Sequence, residues 1–394
     1  MSYLNEYIIK LRTQSIQDLE NEQQELIKEF NKKFDCFLFI YASCVEKRIP
    51  ENQLSITDYE IIHDLLLNIS GKKIVFFLET LGGSGEAAKE IADLLRFKFE
   101  EVHFLIAGKA MSAGTILALS GDEILMTETG SLGPIDAQVL IGRSLVSAHG
   151  YIDWVDNTRN YAEQNGRLNP FDATMVAQIS PGELTQVTNA YNFAINLVKE
   201  WLPKYKFKNW DRTKTRGISV TKEMKYKRAE EIAQELANQK KWNTHSRPLK
   251  LSDLYELGLQ VIPVEHEPDG MLDIVYKIKT INRMIFNATS AFKLFITDSN
   301  KVHRLSTDKQ AIKPIIPNNE INVFKLDLKC GKCDKEFHAY GKFKDDKKFD
   351  DEMKNEGYDP IPKEKKIKCT CGSIIDLVGI LSNVEAQTGK RIIF

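Results

Sequence analysis

The sequence predicts an α/β protein built on a mostly parallel sheet, and three observations carry that reading. Four short apolar runs of strand length recur between residues 36 and 127. Segments with helical periodicity alternate with them at short spacing, which demands right-handed crossovers. Small-residue turns, "LGGSG" (81–85) and "AMSAG" (110–114), join two of the strands to the helices that follow.

Taken in order, residues 6–33 mix Glu, Gln and Lys with Ile8, Ile9, Leu11, Ile16, Leu19 and Leu26. This is a polar helical arm (1–34), suited to packing on a partner subunit rather than to chemistry. "CFLFIYASC" (36–44) is a buried strand, and "SITDYEIIHDLLLNI" (55–69) a helix capped by Ser55 or Thr57. "KKIVFFLET" (72–80) is a second strand, residues 82–97 a glycine turn and helix, "VHFLIAG" (102–108) a third strand and "EILMT" (123–127) a fourth. After Gly133-Pro134 helices take over. "SPGELTQVTNAYNFAINLVKEWL" (180–202) opens with Ser180 as N-cap, Pro181 at the first helical position and Glu183 in a capping box. Further helices are expected over 221–239, over 251–258 ending at Gly258, and over 271–300, with a helix and linker filling 271–325. The last 70 or so residues are rich in Lys, Asp and Cys and read as a separate module (326–394).

Composition narrows the class. Hydrophobic residues make up 42% and charged residues 28%, as in soluble globular proteins. A formal net charge of −1 supplies no global field for nucleic acid or an anionic membrane, so such a partner needs a local patch. One candidate is "KEWLPKYKFKNWDRTKTRG" (199–217), where Lys and Arg interleave with Trp201, Tyr205, Phe207 and Trp210. The bland alternative is a solvated loop whose aromatics pack onto the domain. Residues 1–32 are too polar for a secretory signal, and no run approaches the roughly 18 apolar residues of a membrane span. A cytoplasmic protein is expected.

Three places can hold chemistry. The strand running into Gly82-Gly83 and then a helix exposes backbone N–H groups at a positive helix end, a site for an anion or an oxyanion. Gly83, Gly85 and Ala88 also fit G-x-G-x-x-A, the phosphate turn of a dinucleotide site. Ser112 sits in A-M-S-A-G, close to the G-x-S-x-G elbow that presents a nucleophile, and the Ala113 amide would be one oxyanion donor. The competing reading of Ser112 is a buried junction that merely needs small side chains. Cys330 and Cys333 in "CGKC", with Cys369 and Cys371 in "CTCG", have the ligand logic of a Cys₄ structural zinc site. His338 is a substitute ligand there, whereas Cys36 and Cys44 fall on an apolar strand and read as core.

The blocks "LGGSGEAAKEIADLL", "AGKAMSAGTILALSGDEILM" and "GSLGPIDAQ" resemble the signature blocks of Clp-fold serine proteinases, and "KKWNTHSRPLKLSDLYELGLQV" (240–261) resembles a fourth. The branch they match is that of serine dehydrogenase proteinases, related to archaeal-type signal peptide peptidases. The resemblance covers about 35–265 in family order. It implies a Clp/crotonase-type spiral of ββα units over 35–270, homo-oligomerisation, a protein or peptide substrate, Ser112 as nucleophile, and an oxyanion hole from Gly82 or Gly83 with Ala113. Read together, the blocks displace the dinucleotide reading.

The resemblance leaves the general base open. Where the Clp proteolytic subunit carries a histidine, this chain has Asp136 and Ala137, and no lysine lies between Lys109 and Lys199 to act as in signal peptide peptidases. The candidates are Asp136, His149 and His245; a histidine is the better proton acceptor near neutral pH. Two other functions compete with a serine peptidase: an inactive Clp-fold scaffold docking a partner through the zinc module, and a crotonase-type acyl-CoA enzyme that uses the oxyanion hole without the serine.

Overall fold

A computed structural model describes the chain except residues 1, 12, 48, 142, 143, 214, 243, 268, 269, 307–321, 331 and 389. The part of the expected linker at 307–321 therefore lies outside the described residues. The apolar runs form strands β1 (Phe37–Ser43), β2 (Gly71–Glu79), β3 (Phe99–Ile106), β4 (Lys109–Ala110), β5 (Glu123–Met126) and β6 (Ser131–Leu132). They are followed by β7 (Gln138–Ile141), β8 (Ser144–Ser147), β9 (Ile262–Pro263), β10 (Ala291–Ile296) and β11 (Lys301–Leu305).

The principal sheet runs β11-β10-β1-β2-β3-β5-β9. From β1 to β9 neighbouring strands are parallel, and β10 lies antiparallel on β1. Strands covered on both faces need continuous apolar runs, and β1 and β2 supply them. Phe39, Phe76 and Phe104 are direct cross-strand neighbours, with ring centroids 5.2 and 5.8 Å apart, and they pin the register of three strands.

Past the principal strands the chain takes a short second step before the next helix. Thr80, following β2, bridges Ala110; β4, following β3, pairs in parallel with β6, which follows β5. Leu54 bridges Gly83, and Leu132 bridges Leu249. Strand, short second strand and helix thus repeat, which brings the turns after β2 and β3 to one rim. Helix Gly85–Lys98 starts where Ser84 Oγ accepts the Ala87 N–H (3.0 Å), and it buries Ala88, Ile91, Ala92 and Leu95 in the core.

Several expectations change. The helix expected over 271–300 ends at Ala288, and "AFKLFI" becomes the fully buried strand β10. A six-residue apolar run looks alike in a buried helix and a buried strand, and sheet pairing decided it. The arm 1–34 holds helices Tyr3–Lys10 and Ile16–Phe34; Leu19, Ile27 and Phe30 are buried within the chain, whereas Ile8 and Ile9 are exposed. Segment 199–217 packs its aromatics inward, as Trp201 and Phe207 are buried and Trp210 is packed against the core. Its Lys206 and Lys208 pair with Glu123 and Asp122 (2.9 and 2.5 Å). These contacts match the alternative reading, in which the aromatics of this segment pack onto the domain.

The residues fall into two compact units. One is Gln24–Lys279 with Lys293–Val302; the other gathers 1–23, 280–292 and 303–394. Within the second, β12 (Val323–Lys329), β13 (Glu336–Lys342) and β14 (Asp359–Pro360) form one sheet, and β15 (Lys366–Lys368) pairs with β16 (Ile374–Asp376). Phe324, Leu326, Ala339, Leu377 and Leu381 are the centre of its small core. Among the described residues no helix is long and apolar enough to cross a membrane.

Candidate active site

Ser112 follows Met111 in the turn between β4 and helix Ala113–Ala118, with φ 50° and ψ −116°. A non-glycine residue there carries about 1–3 kcal/mol of backbone strain, which persists only where neighbours enforce it. The enforcement is visible. Met111 N donates to Thr80 O (3.0 Å) before the turn, and Gly114 N donates to Met111 O (2.8 Å) after it. A Cβ on Gly114 would overlap Thr80 Cγ2, so glycine is required for the helix to approach β2. The Ser112 side chain makes no capping bond to its own helix. The residue is half-buried, and among the described residues its hydroxyl has no hydrogen-bond partner.

The double-glycine bend meets this turn. A Cβ on Gly82 (φ 98°) would lie 2.7 Å from Ser112 Cβ, 2.7 Å from Met111 O and 3.2 Å from Ala113 N. Gly82 N–H is taken by Thr80 Oγ1 (3.1 Å). Leu54 holds the bend from the other side, donating its N–H to Gly82 O and accepting from Ser84 N, each at 2.8 Å. Among the described residues the N–H groups of Gly83 and Ala113 have no acceptor. Of the two glycines named as oxyanion donors, Gly83 has the available amide and Gly82 does not.

The third block docks on the nucleophile turn. Gly133 N donates to Thr115 Oγ1 (2.9 Å), which donates to Ala110 O (2.8 Å). The fourth block returns to the third through the Leu132–Leu249 bridge, with Trp242 buried and its Nε1–H donated to Glu235 O (2.7 Å). These two anchors bring His245 to Asp136, with Nδ1 2.7 Å from Oδ1. Asp136 is 1% exposed, and its Oδ2 accepts from Gln138 Nε2 (2.7 Å).

A cleft of about 880 Å³ gathers these parts, lined by Gly82, Gly83, Ser112, Ala113 and His245. Its walls add Asn52, Ile116, Leu145, Asn189 and Phe193. Asp136 is not among the lining residues; its carboxylate is buried, in contact with Nδ1 of the His245 that lines the cleft. His149 is likewise absent from the lining. It sits in helix Ala148–Asn165, with Nδ1 3.4 Å from Asp153 Oδ2 and its ring 5.5 Å from that of Tyr191. Among the described residues no hydrogen bond joins Ser112 Oγ to His245, and such contacts commonly tighten only with substrate.

Sequence reasoning did not single out Leu54, Thr80 or Gln138. Leu54 and Thr80 act through backbone bridges to distant residues, which no local motif encodes, whereas Gln138 acts on Asp136 only two positions away.

In the other unit Cys330, Cys333, Cys369 and Cys371 converge with all four sulfurs within 4.8 Å of one another. Cys330 Sγ lies 3.6 Å from Cys371 Sγ, and Cys333 Sγ 3.5 Å from Cys369 Sγ. A tetrahedral zinc with bonds of about 2.3 Å sets sulfurs about 3.8 Å apart, so four thiolates at this spacing fit that ion. His338 is not in the cluster; its Nδ1 lies 2.6 Å from Asp327 Oδ1.

Comparison with known proteins adds the following. Residues 67–191 match the family model of the NfeD1b N-terminal domain. The chain is 29% identical over 205 residues to the uncharacterized protein MJ0137 of Methanocaldococcus jannaschii, covering 51% of this chain and 58% of that one. It is 26% identical over 205 residues to MJ1495 of the same organism, covering 51% and 56%. The chain thus spans little more than half the length of the curated relatives it matches. Among solved structures, a mutant of the 1510-N membrane-bound stomatin-specific protease aligns with TM-score 0.32 and 15% identity, over 56% of this chain and 79% of that chain.

Proposed function

We propose that this chain is a serine peptidase of Clp-like fold, with a protein or peptide as substrate. The observation that carries the reading is the contact of two turns: the double-glycine bend lies against Ser112, in a cleft that also holds a histidine already hydrogen-bonded to a buried carboxylate. The match of residues 67–191 to the NfeD1b N-terminal domain supports a Clp-like serine peptidase and includes Gly83, Ser112 and Asp136.

In this reading Ser112 Oγ bonds to the substrate carbonyl carbon while its proton passes to His245 Nε2. The carbonyl oxygen becomes an oxyanion held by the Gly83 and Ala113 amides. His245 then protonates the leaving amine as the C–N bond breaks, and water, deprotonated by the same imidazole, hydrolyses the acyl ester. Asp136 keeps the proton of neutral His245 on Nδ1 and stabilises the imidazolium. The serine dehydrogenase proteinase branch, the Clp/crotonase spiral and homo-oligomerisation belong to the same proposal, supported by the four sequence blocks and the strand–short-strand–helix repeat. Zinc on the four cysteines would hold the small unit together, with no part in the reaction.

Labelling with a fluorophosphonate tests this. The wild-type protein should react and Ser112→Ala should not, with both showing the same circular dichroism. Equal labelling of the two, or none of the folded wild type, would return the chain to the reading of an inactive scaffold.

A further inference from the structure

Besides the Thr80 hydroxyl, the bend at Gly82-Gly83 is held by Leu54, and the loop that carries Leu54 is held by a buried charge. Gly83 has φ 149°, and a Cβ on it would come within 2.5 Å of Leu54 N, so the bend and Leu54 are in backbone contact. Leu54 bonds both sides of Gly83 through Gly82 O and Ser84 N. The carbonyl just before Leu54, that of Gln53, accepts from Lys293 Nζ at 2.7 Å. The same ammonium lies 2.6 Å from Asp58 Oδ2, and both side chains are 0% exposed. Asp58 Oδ2 also accepts from Ser55 N (2.9 Å), one residue past Leu54, and from Tyr41 OH (3.1 Å). Lys293 is on β10, opposite Ser43 of β1, so it reaches this loop from the strand added at the sheet's antiparallel side.

An ion pair taken wholly out of water is an unfavourable way to gain stability, since apolar side chains of like volume serve as well or better. What it does supply is direction. One ammonium with three donors fixes a carbonyl and a carboxylate on the two sides of Leu54. We propose that Lys293 is a positioning residue for the oxyanion bend: with Asp58 it fixes Leu54, and Leu54 fixes Gly82-Gly83 against Ser112. The inference deepens the peptidase reading and rests on it for its catalytic consequence.

The test removes both charges together, because Lys293→Met alone strands a buried carboxylate and risks unfolding. The pair Lys293→Met/Asp58→Asn keeps the volume and leaves Tyr41 and Ser55 an acceptor. Two quantities are read on the full chain: kcat and KM for a fluorogenic peptide, and amide hydrogen exchange at Leu54 and Ser84. Misplacing an oxyanion donor lowers kcat, here by about tenfold to a hundredfold, and leaves KM within about threefold. Exchange at both amides quickens. Ile74→Ala, at the far end of β2, is the control: it lowers the melting temperature yet keeps wild-type kcat. A folded pair variant with wild-type exchange at Leu54 and Ser84, or with wild-type kcat, overturns the proposal. A wild type without turnover refutes the peptidase reading instead, and the exchange comparison then decides the positioning role alone.

Discussion

Asp136→Asn isolates what the buried carboxylate does for His245. The change is isosteric, and the site is 1% exposed, so packing is preserved. Asp136 Oδ2 accepts from Gln138 Nε2 and Oδ1 faces His245 Nδ1, each at 2.7 Å. With asparagine in place and Gln138 unmoved, the new carbonyl stays on Gln138 and the NH₂ group points at Nδ1. That donor forces the ring proton onto Nε2, the atom that must accept from Ser112. A wrong tautomer of this kind costs about 10⁴ in kcat, or about 5.4 kcal/mol at 1.36 kcal/mol per decade. Should the Gln138 amide turn over, the tautomer is kept and only the negative charge is lost, which leaves about 10²-fold as the lower bound. A fluorogenic peptide assay should therefore give kcat reduced by 10² to 10⁴, KM nearly unchanged and slower fluorophosphonate labelling. The melting temperature should stay close to that of wild type. A variant with wild-type kcat would show that His245 is not oriented by Asp136, and the relay would have to be abandoned.

Two further outcomes follow from groups outside the relay. Glu79 closes β2 half-buried against Gly108, and burial pushes its carboxyl up to about 7 from 4.5, against the pull of Lys279 and Lys109. The native state then binds more protons than the unfolded chain between those values, so stability should fall as pH rises from 4.5 to 7. Glu79→Gln should flatten that slope and raise stability at pH 8 by about 2–3 kcal/mol in urea titrations; equal slopes in both proteins would refute the assignment. For the cysteine cluster, plasma mass spectrometry of the full chain should find one zinc per chain, lost in Cys369→Ser, with kcat unaltered. A zinc-free wild type purified without chelator would remove the metal from the account.

How far the sequence carried can be followed residue by residue. The turns that carry Ser112, Gly82-Gly83 and Ala113, and the close pairs of cysteines, were legible as candidates because their requirements are local. A strained turn needs small neighbours, an oxyanion amide needs a helix start, and a metal needs close thiolate pairs. The general base was not legible. Asp136 and His245 are 109 positions apart, and as isolated candidates each competed for one role. The fold brings them into hydrogen-bond contact, through the Leu132–Leu249 bridge and the Gly133–Thr115 bond, neither of which has a sequence signature. His149, reasonable by composition, is carried off on a helix that turns it toward Tyr191.

The sequence alone determined the alternation of strands and helices, the parallel sheet and the two tight turns, because hydrophobic period and small-residue placement act within a few residues. Tertiary structure decided that "AFKLFI" is a strand, that Gly83 and not Gly82 offers a vacant amide, and that a buried lysine on that strand braces the bend. Those outcomes depend on which backbone groups find partners across the sheet. Pairing of that kind is settled by the whole fold, between residues that the chain keeps far apart.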